Sequence, residues 1–344
     1  MRKTLLISFL SKAYKTKAIL FVLLVVSLNT NALVRYSVAS GAWNNTAQWS
    51  ATSGGAPGAS YPVAGDNVYI EGNWTITVSA LAAACATLNI ASGSTLTVAG
   101  FNITVSGTTS ISGTINHTST TGTKLFTGAV TINASGVWNS SVNEAFEFRG
   151  GLTFNGTTFT AGTGIYSFTT NVQSIGGSSA LFIPNITISI GTTNNANLTV
   201  STAIAGAGTL TNGATGILNF GGASIAPTLT ATAAGNVVNY NGTVAQAAKT
   251  TTYNTLKINN DAGVTLGAAI TVTTLTIGDL TANSIFLDGG YQLTSTGTLN
   301  FVSGTYKLGS SSTATAFPAF TVTNFTSNTT VEYGCTKGNQ THII

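Results

Sequence analysis

The chain has 344 residues, of which 43% are hydrophobic and only 6% are charged. That hydrophobic share is enough for a packed interior and disfavours a disordered chain. The formal net charge of +4 comes from the first 17 residues, which hold five of the 12 basic residues. The rest of the chain has seven basic and eight acidic residues, so no basic surface for nucleic acid is expected.

Residues 1–32 have the pattern of a secretory signal peptide. Basic residues come first, an apolar run follows from Ala18 to Leu28, and Thr30-Asn31-Ala32 offers small residues at the cleavage position. The apolar run is shorter than the roughly 20 residues that cross a bilayer, so cleavage is favoured over a retained anchor. No later stretch of the sequence is long and apolar enough to cross a membrane, so the mature chain is expected to be secreted.

Residues 33–67 are predicted to form an N-terminal capping region. The region contains Trp43, Trp49 and a loop rich in Gly, Pro and Ser between Thr52 and Pro62. The two tryptophans either cover the open end of a repeat core or form a platform on which a carbohydrate stacks. Capping is the favoured interpretation, because the end of a stacked core would otherwise be exposed to water.

From Val68 the chain consists of short runs in which apolar and polar residues alternate, as in Thr95–Val98 and Phe101–Val105. A period of two predicts half-buried strands. Glycines such as Gly93 and Gly100 lie between the runs, where corners need positive φ or no side chain. No window of about 12 residues or more after the leader has convincing helical periodicity.

Short strands at this spacing fit either a β-sandwich or a β-helix, and the recurrence of one motif favours the β-helix. In each copy an aromatic residue closes a short β run and a Gln follows five to seven residues later: Phe168 with Gln173, Tyr240 with Gln246, and Tyr333 with Gln340. The aromatic positions are 72 and 93 residues apart. These intervals match three and four coils of about 23 residues.

The sequence therefore predicts an all-β protein with a right-handed parallel β-helix over residues 68–344, and at about 23 residues a coil the whole chain after the leader would make about 13 coils. Each coil of such a solenoid contacts only its neighbours. Cys85 and Cys335 are 250 positions apart, so both are expected to be unpaired, with Cys85 buried as a small apolar residue.

The ionisable residues form no recognisable catalytic motif. Enzymes with a parallel β-helix fold need several carboxylates, or a carboxylate with Lys or Arg, on one face of adjacent coils. Asp66 and Glu71 are the nearest candidate pair, but Asp66 is more simply explained as a turn cap. His117 and His342 are isolated and lack metal-ligand spacing. We expect no catalytic residues, no metal and no cofactor.

Two further patterns have simple structural explanations. The alternation Phe146-Glu147-Phe148-Arg149 places both rings on one face and predicts an exposed ion pair on the other. Thr-x-Thr triplets such as Thr75-Ile76-Thr77 could order water at an ice surface. They do not recur at one fixed coil interval, and β propensity on a solvent face explains them.

The sequence resembles a group of large exported β-solenoid repeat proteins of Bacteroidetes bacteria. The resemblance covers most of residues 43–340 and is carried by the head Trp43-x5-Trp49, by Pro62-x3-Asp66-x-Val68-x-Ile70, and by Val238-x-Tyr240-x-Gly242…Gln246…Tyr253-x-x-Leu256-x-Ile258. It implies an adhesin-like protein on the bacterial outer surface, exported by the type IX system.

One departure from that group concerns the end of the chain. Such proteins usually carry a C-terminal sorting domain, whereas this sequence ends within a repeat after Gln340, so we expect an N-terminal portion of a longer protein. The expected function is a structural stalk or adhesin without catalysis, with surface glycans or other cells as partners. A carbohydrate-binding or carbohydrate-active β-helix, similar to polysaccharide lyases and hydrolases, is the alternative.

Overall fold

The computed structural model describes residues 32–280 and 283–335. These residues form a parallel β-solenoid of about 13 turns with 1% helix, which confirms the predicted fold class and the number of coils. The predicted signal peptide lies outside the described residues except for Ala32. In the part of the chain that the structure describes, no helix has the length and apolar character needed to span a membrane.

Each turn places short strands on three faces in succession. The first face is a single 11-stranded sheet, in which all pairings but one are parallel. Its strands are Val34–Ser37, Trp49–Ser50, Asn67–Ile70, Thr87–Ile90, Thr109–Ile111, Val130–Ile132, Leu152–Phe154, Gln173–Gly176, Thr192–Asn194, Thr209–Asn212 and Thr228–Thr230.

The second face consists of a six-stranded sheet followed by an eight-stranded sheet. The six strands are Gly41–Ala42, Thr75–Val78, Thr95–Val98, Thr114–His117, Val137–Ser140 and Thr158–Thr160. The eight strands are Leu181–Phe182, Asn197–Val200, Ile217–Phe220, Val237–Tyr240, Thr252–Ile258, Ile270–Ile277, Leu293–Phe301 and Val322–Phe325. Ala231 bridges to Tyr253, so the long strand Thr252–Ile258 takes over the first face as well as the second.

The third face consists of a seven-stranded sheet followed by a five-stranded sheet. The seven strands are Ala83–Cys85, Ile103–Val105, Lys124–Phe126, Phe146–Phe148, Ile165–Phe168, Asn185–Ile188 and Ala203–Ala205. The five strands are Gln246–Ala248, Val264–Leu266, Ile285–Leu287, Gly304–Leu308 and Thr329–Tyr333. The one short 3₁₀ helix of the described residues is Thr46–Gln48.

Stacked aliphatic columns fill the interior. Ile70, Ile90, Ile111 and Ile132 pair in register from coil to coil on the first face, and each is at most 1% exposed. Neighbouring strands lie about 4.8 Å apart, so each isoleucine packs directly on the next. Alternate residues of each strand point outward, because successive side chains point to opposite sides of a sheet. The period-two pattern of the sequence therefore identifies the inward residues correctly.

The coils differ in length, and the repeated motif does not mark one face. Stacked partners are 18 residues apart at Asn194 and Asn212 but 24 apart at Asn300 and Asn324. Phe168 lies on the third face and Tyr240 on the second. The prediction that these aromatic positions are separated by whole coils of about 23 residues is wrong, because corners of unequal length absorb the difference.

The motif instead marks a corner that a buried Gln connects to the preceding coil. Gln246 Nε2 donates to Phe220 O at 2.9 Å, and Phe220 is the residue stacked on Tyr240. Gln173 Nε2 donates in the same way to Phe148 O at 3.1 Å, and Phe148 is stacked on Phe168. Each Gln also satisfies a turn N–H outside the ladder, because Gln246 Oε1 accepts from Gly242 N and Gln173 Oε1 accepts from Gly151 N. Gln340, the third copy, lies outside the described residues.

Candidate functional site

Trp43 and Trp49 lie together at the N-terminal end of the solenoid and are 2% and 0% exposed. Their rings meet edge to face with centroids 5.4 Å apart. Trp49 Nε1 donates to Trp43 O at 2.7 Å, and Trp43 Nε1 donates to Pro62 O at 3.1 Å. Burial and internal hydrogen bonds engage both indoles, so neither presents an open ring face to a ligand.

The chain around these tryptophans is already part of the solenoid. Val34–Ser37 pairs in parallel with Asn67–Ile70, and Gly41–Ala42 pairs in parallel with Thr75–Val78. Trp49–Ser50 then pairs antiparallel with Val34–Ser37 and covers the outer edge of the first face. A covered edge offers no free ladder of N–H and C=O groups to another chain.

The candidate carboxylate pair of this region is separated by a strand. Asp66 precedes Asn67–Ile70 and accepts hydrogen bonds from Leu33 N and Val63 N, both at 3.1 Å. Glu71 follows the same strand and accepts from Ser53 Oγ at 2.5 Å. Four residues of strand hold the two carboxylates about 15 Å apart, too far for paired acid–base chemistry. Across residues 32–280 and 283–335, no group of three or more His, Cys, Asp or Glu residues could hold a metal ion.

The structure brings together three ionisable side chains whose proximity the sequence does not predict. His117, Lys124 and Glu144 are 1%, 2% and 0% exposed. Lys124 Nζ contacts Glu144 Oε1, and His117 Nδ1 lies 3.8 Å from Glu144 Oε2. We call these residues the buried ionic cluster. His117, which is isolated in the sequence, therefore has ionisable neighbours in the structure.

The buried ionic cluster lies at the corner between the second and third faces. His117 ends the strand Thr114–His117, Lys124 begins the strand Lys124–Phe126 of the same coil, and Glu144 occupies the corresponding corner of the next coil. Gly164 of the following coil packs on Glu144 so closely that a Cβ there would lie 1.6 Å from Glu144 O. This contact requires glycine and holds the Glu144 backbone in place.

Two aromatic rings pack against His117 of the cluster. The centroid of the His117 ring is 4.9 Å from that of Trp138 and 4.7 Å from that of Phe146. Such rings lower the local dielectric and disfavour charged forms. Burial, with the charge of Lys124 as a second cause, lowers the pKa of His117 to about 3. Burial raises the pKa of Glu144, although Lys124 opposes the rise.

Outward residues on the first half of the second face form two columns of hydroxyl and amide side chains, interrupted only by Val137 over these five rungs. One column is Thr75, Thr95, Thr114, Val137 and Thr158, and the other is Thr77, Thr97, Asn116, Asn139 and Thr160. Rungs lie about 4.8 Å apart and the columns about 6.7 Å apart. Neither column carries a charge over these five rungs. The unequal spacing of the Thr-x-Thr triplets in the sequence therefore does not prevent them from aligning in space.

The second half of the same face continues with an amide ladder. Asn239 Nδ2 donates to Asn219 Oδ1, and Asn219 Nδ2 donates to Asn197 Oδ1, both at 3.0 Å. Lys257 is stacked on Asn239 and brings a charge into the column. Hydrogen bonds between the side chains of successive coils add to the backbone ladder beneath them.

A shallow groove on the first face is the clearest concave surface with an outward aromatic residue. Tyr36 and Tyr69 stack with centroids 5.0 Å apart and an interplanar angle of 18°. The groove beside Tyr69 has a volume of about 210 Å³ and is lined by Tyr69, Ile70, Glu71, Asn89, Ile90, Ala91, Ser110 and Ser112. An aromatic ring beside small polar side chains is the composition of a surface that binds neutral sugars.

Comparison of the chain with protein-family models, with curated proteins and with solved structures gave no match. Its function therefore has to be inferred from its own residues.

Proposed function

We propose that the protein is a non-catalytic rod, exported to the bacterial outer surface, where it acts as a structural stalk or adhesin. One observation carries this proposal: an uninterrupted core of stacked coils bears outer columns of Thr and Asn in place of charged or catalytic groups. A solenoid gains length by adding coils, because each coil needs only its neighbours for its core and its ladder. This geometry suits a spacer that holds a binding surface away from a cell.

The sequence supports the export part of the proposal. The leader pattern of residues 1–32 indicates secretion. The resemblance of Trp43-x5-Trp49 and of the Tyr240–Gln246 motif to exported solenoids of Bacteroidetes supports a place on the outer surface. The hydroxyl and amide columns support it as well, because a surface with few charges depends little on the surrounding salt.

Surface display is tested in the source bacterium with an antibody against the described coils. Intact cells are treated with protease, and the remaining protein is compared with that in lysed cells. We expect the antigen to be lost from intact cells and its N-terminus to begin after Ala32. Protection in intact cells together with an uncleaved leader would contradict surface display.

Carbohydrate binding is a second candidate function, and the groove beside Tyr69 favours it. The ring of Tyr69 would stack on a sugar, while Asn89, Ser110 and Ser112 would hydrogen-bond its hydroxyls. Asn133 Nδ2 donates to both serine Oγ atoms at 2.9 Å and fixes their positions.

A glycan array with the purified protein tests this candidate. We expect a neutral glycan to bind the wild type and to lose at least tenfold in affinity for Tyr69→Ala, by analogy with nucleic-acid bases, whose stacking on one aromatic ring contributes about 1–3 kcal/mol. Tyr291→Ala, at an exposed tyrosine of a distant coil, is the control. Equal affinity of Tyr69→Ala and Tyr291→Ala for the glycan would contradict binding in the groove. Release of shortened glycan would identify an enzyme instead.

A further inference from the structure

The buried ionic cluster places an amine against a carboxyl group inside a dry aromatic core. Lys124 Nζ contacts Glu144 Oε1 and also donates to Thr121 O at 2.5 Å and Gly122 O at 3.1 Å. Apart from Lys124, neither carboxylate oxygen of Glu144 has a hydrogen-bond partner. The two carbonyls hold the amine in position, while the carboxylate lacks the donors that would compensate its charge.

Keeping both groups charged in this arrangement carries a high desolvation cost. Moving a carboxylate and an ammonium out of water costs several kcal/mol for each ion, and the attraction compensates only when further hydrogen bonds satisfy both groups. For Glu144 those further bonds are missing. Burial accordingly raises the pKa of Glu144 and favours its neutral acid. A neutral product of the two groups would remove both desolvation costs.

We propose that Lys124 and Glu144 condense to an intramolecular amide bond that links two adjacent coils. The geometry supplies the two reacting groups already in contact, which removes the entropic cost of bringing them together. The enclosed site contains no bulk water to compete for the carbonyl carbon or to reverse the reaction. This inference is independent of the proposed stalk function.

The step balances without any other reactant. Transfer of one proton from Lys124 Nζ to the Glu144 carboxylate within the ion pair gives the acid and the amine that react. A bond forms between Nζ and the side-chain carboxyl carbon, one carbon–oxygen bond breaks, and one Nζ proton joins the departing hydroxyl. The products are one neutral amide and one molecule of water.

His117 is the proton carrier for this step. Its Nδ1 lies 3.8 Å from Glu144 Oε2, and neither ring nitrogen has a hydrogen-bond partner. Burial keeps the ring neutral, so one ring nitrogen has a free lone pair and the other carries a proton, and the ring can relay a proton from Nζ to the departing oxygen. The stacked rings of Trp138 and Phe146 hold the imidazole against the carboxyl group.

Denaturation of the full purified chain, followed by tryptic digestion and mass spectrometry, tests the bond. Trypsin cleaves after Lys and Arg but not after an acylated lysine. The unlinked chain yields peptides 36–124 and 125–149. The linked chain yields a single peptide 36–149 that lacks the mass of one water molecule, which also distinguishes it from a missed cleavage.

The chain contains its own control. Lys307 Nζ and Glu332 Oε1 are 2.7 Å apart, but their side chains are 35% and 50% exposed. If contact alone were sufficient, Lys307 and Glu332 would be linked as well. The proposed reaction also requires burial, which this pair lacks. We expect peptides 258–307 and 308–337 to be recovered without loss of water.

Two variants complete the test. Glu144→Met keeps the buried volume and should restore cleavage after Lys124. His117→Phe should still fold, with bond formation slowed on the order of 100-fold after refolding, as expected for loss of a general acid–base group. Quantitative recovery of peptides 36–124 and 125–149 from folded wild type would overturn the proposal. An unchanged rate in His117→Phe would refute the role of His117.

Discussion

Replacing Gln246 by Met tests whether the corner Gln holds the coils together. Gln246 Oε1 accepts from Gly242 N at 3.0 Å and from Asn260 Nδ2 at 2.8 Å, and its Nε2 donates to Gly222 O at 2.6 Å and to Phe220 O. Met has a similar shape but neither donates nor accepts well. Phe220 O keeps the hydrogen bond that Asn241 N donates to it, and Asn260 Nδ2 keeps the one that it donates to Val244 O, so two buried backbone groups, Gly242 N and Gly222 O, lose their partner.

At about 1–3 kcal/mol for each buried unpaired group, we expect Gln246→Met to destabilise the corner by about 2–4 kcal/mol. Long repeat arrays do not unfold in one step, so hydrogen exchange of individual coils is the suitable assay. Exchange of the amides in 237–266 should accelerate on the order of 100-fold. The control is Gln292→Met, at a partly exposed Gln whose bonded groups can turn to water. Equal acceleration in both variants, or none in Gln246→Met, would refute the reasoning.

Three further outcomes follow from burial. Trp43→Ala should destabilise the first coil by about 3–5 kcal/mol by hydrogen exchange, whereas Trp74→Ala, at a ring that is 38% exposed, should cost less than about 1 kcal/mol. The unfolded chain protonates His117 near its ordinary pKa of 6.5 and the folded chain only near pH 3, so stability present above pH 6.5 should fall by about 1.4 kcal/mol per pH unit below it. Denaturation at pH 7 and pH 4.5 should show this loss in wild type and not in His117→Phe. Burial, with Asp66 as a second cause, raises the pKa of Cys85 to about 12, so iodoacetamide should alkylate this thiol in the unfolded chain and leave it unmodified in the folded one.

Local features of the fold could be predicted from the sequence because they depend on residues close together in the chain. Alternation within each strand identifies the inward side chains. It also predicts the exposed ion pair, and Arg149 Nε lies 2.7 Å from Glu147 Oε1 with about one third of each side chain exposed. The expectation of a buried, unpaired Cys85 is confirmed as well.

The buried ionic cluster could not be predicted, because it depends on the length of the corners. His117, Lys124 and Glu144 meet only when one coil is placed on the next. The spacing of stacked partners has no fixed period, since it is 17 residues at Leu181 and Leu198 but 25 at Gly304 and Thr329. The same variation led to the wrong spacing for Phe168 and Tyr240. The available signals were the aromatic residues of 124–170 and the presence of ionisable residues among them. Charged residues make up only 6% of this chain, so a Lys and a Glu within an aromatic stretch are unusual.

The hydroxyl and amide columns of the second face have a consequence for how the rod behaves among many copies of itself. Colloidal particles that repel one another through charge aggregate when salt is added, because ions shorten the range of the repulsion. A rod covered by Thr and Asn has little charge repulsion between its copies, so added salt has little repulsion to screen. Its dispersion should depend on tightly held water, and crowded arrays should behave alike in dilute and in saline surroundings.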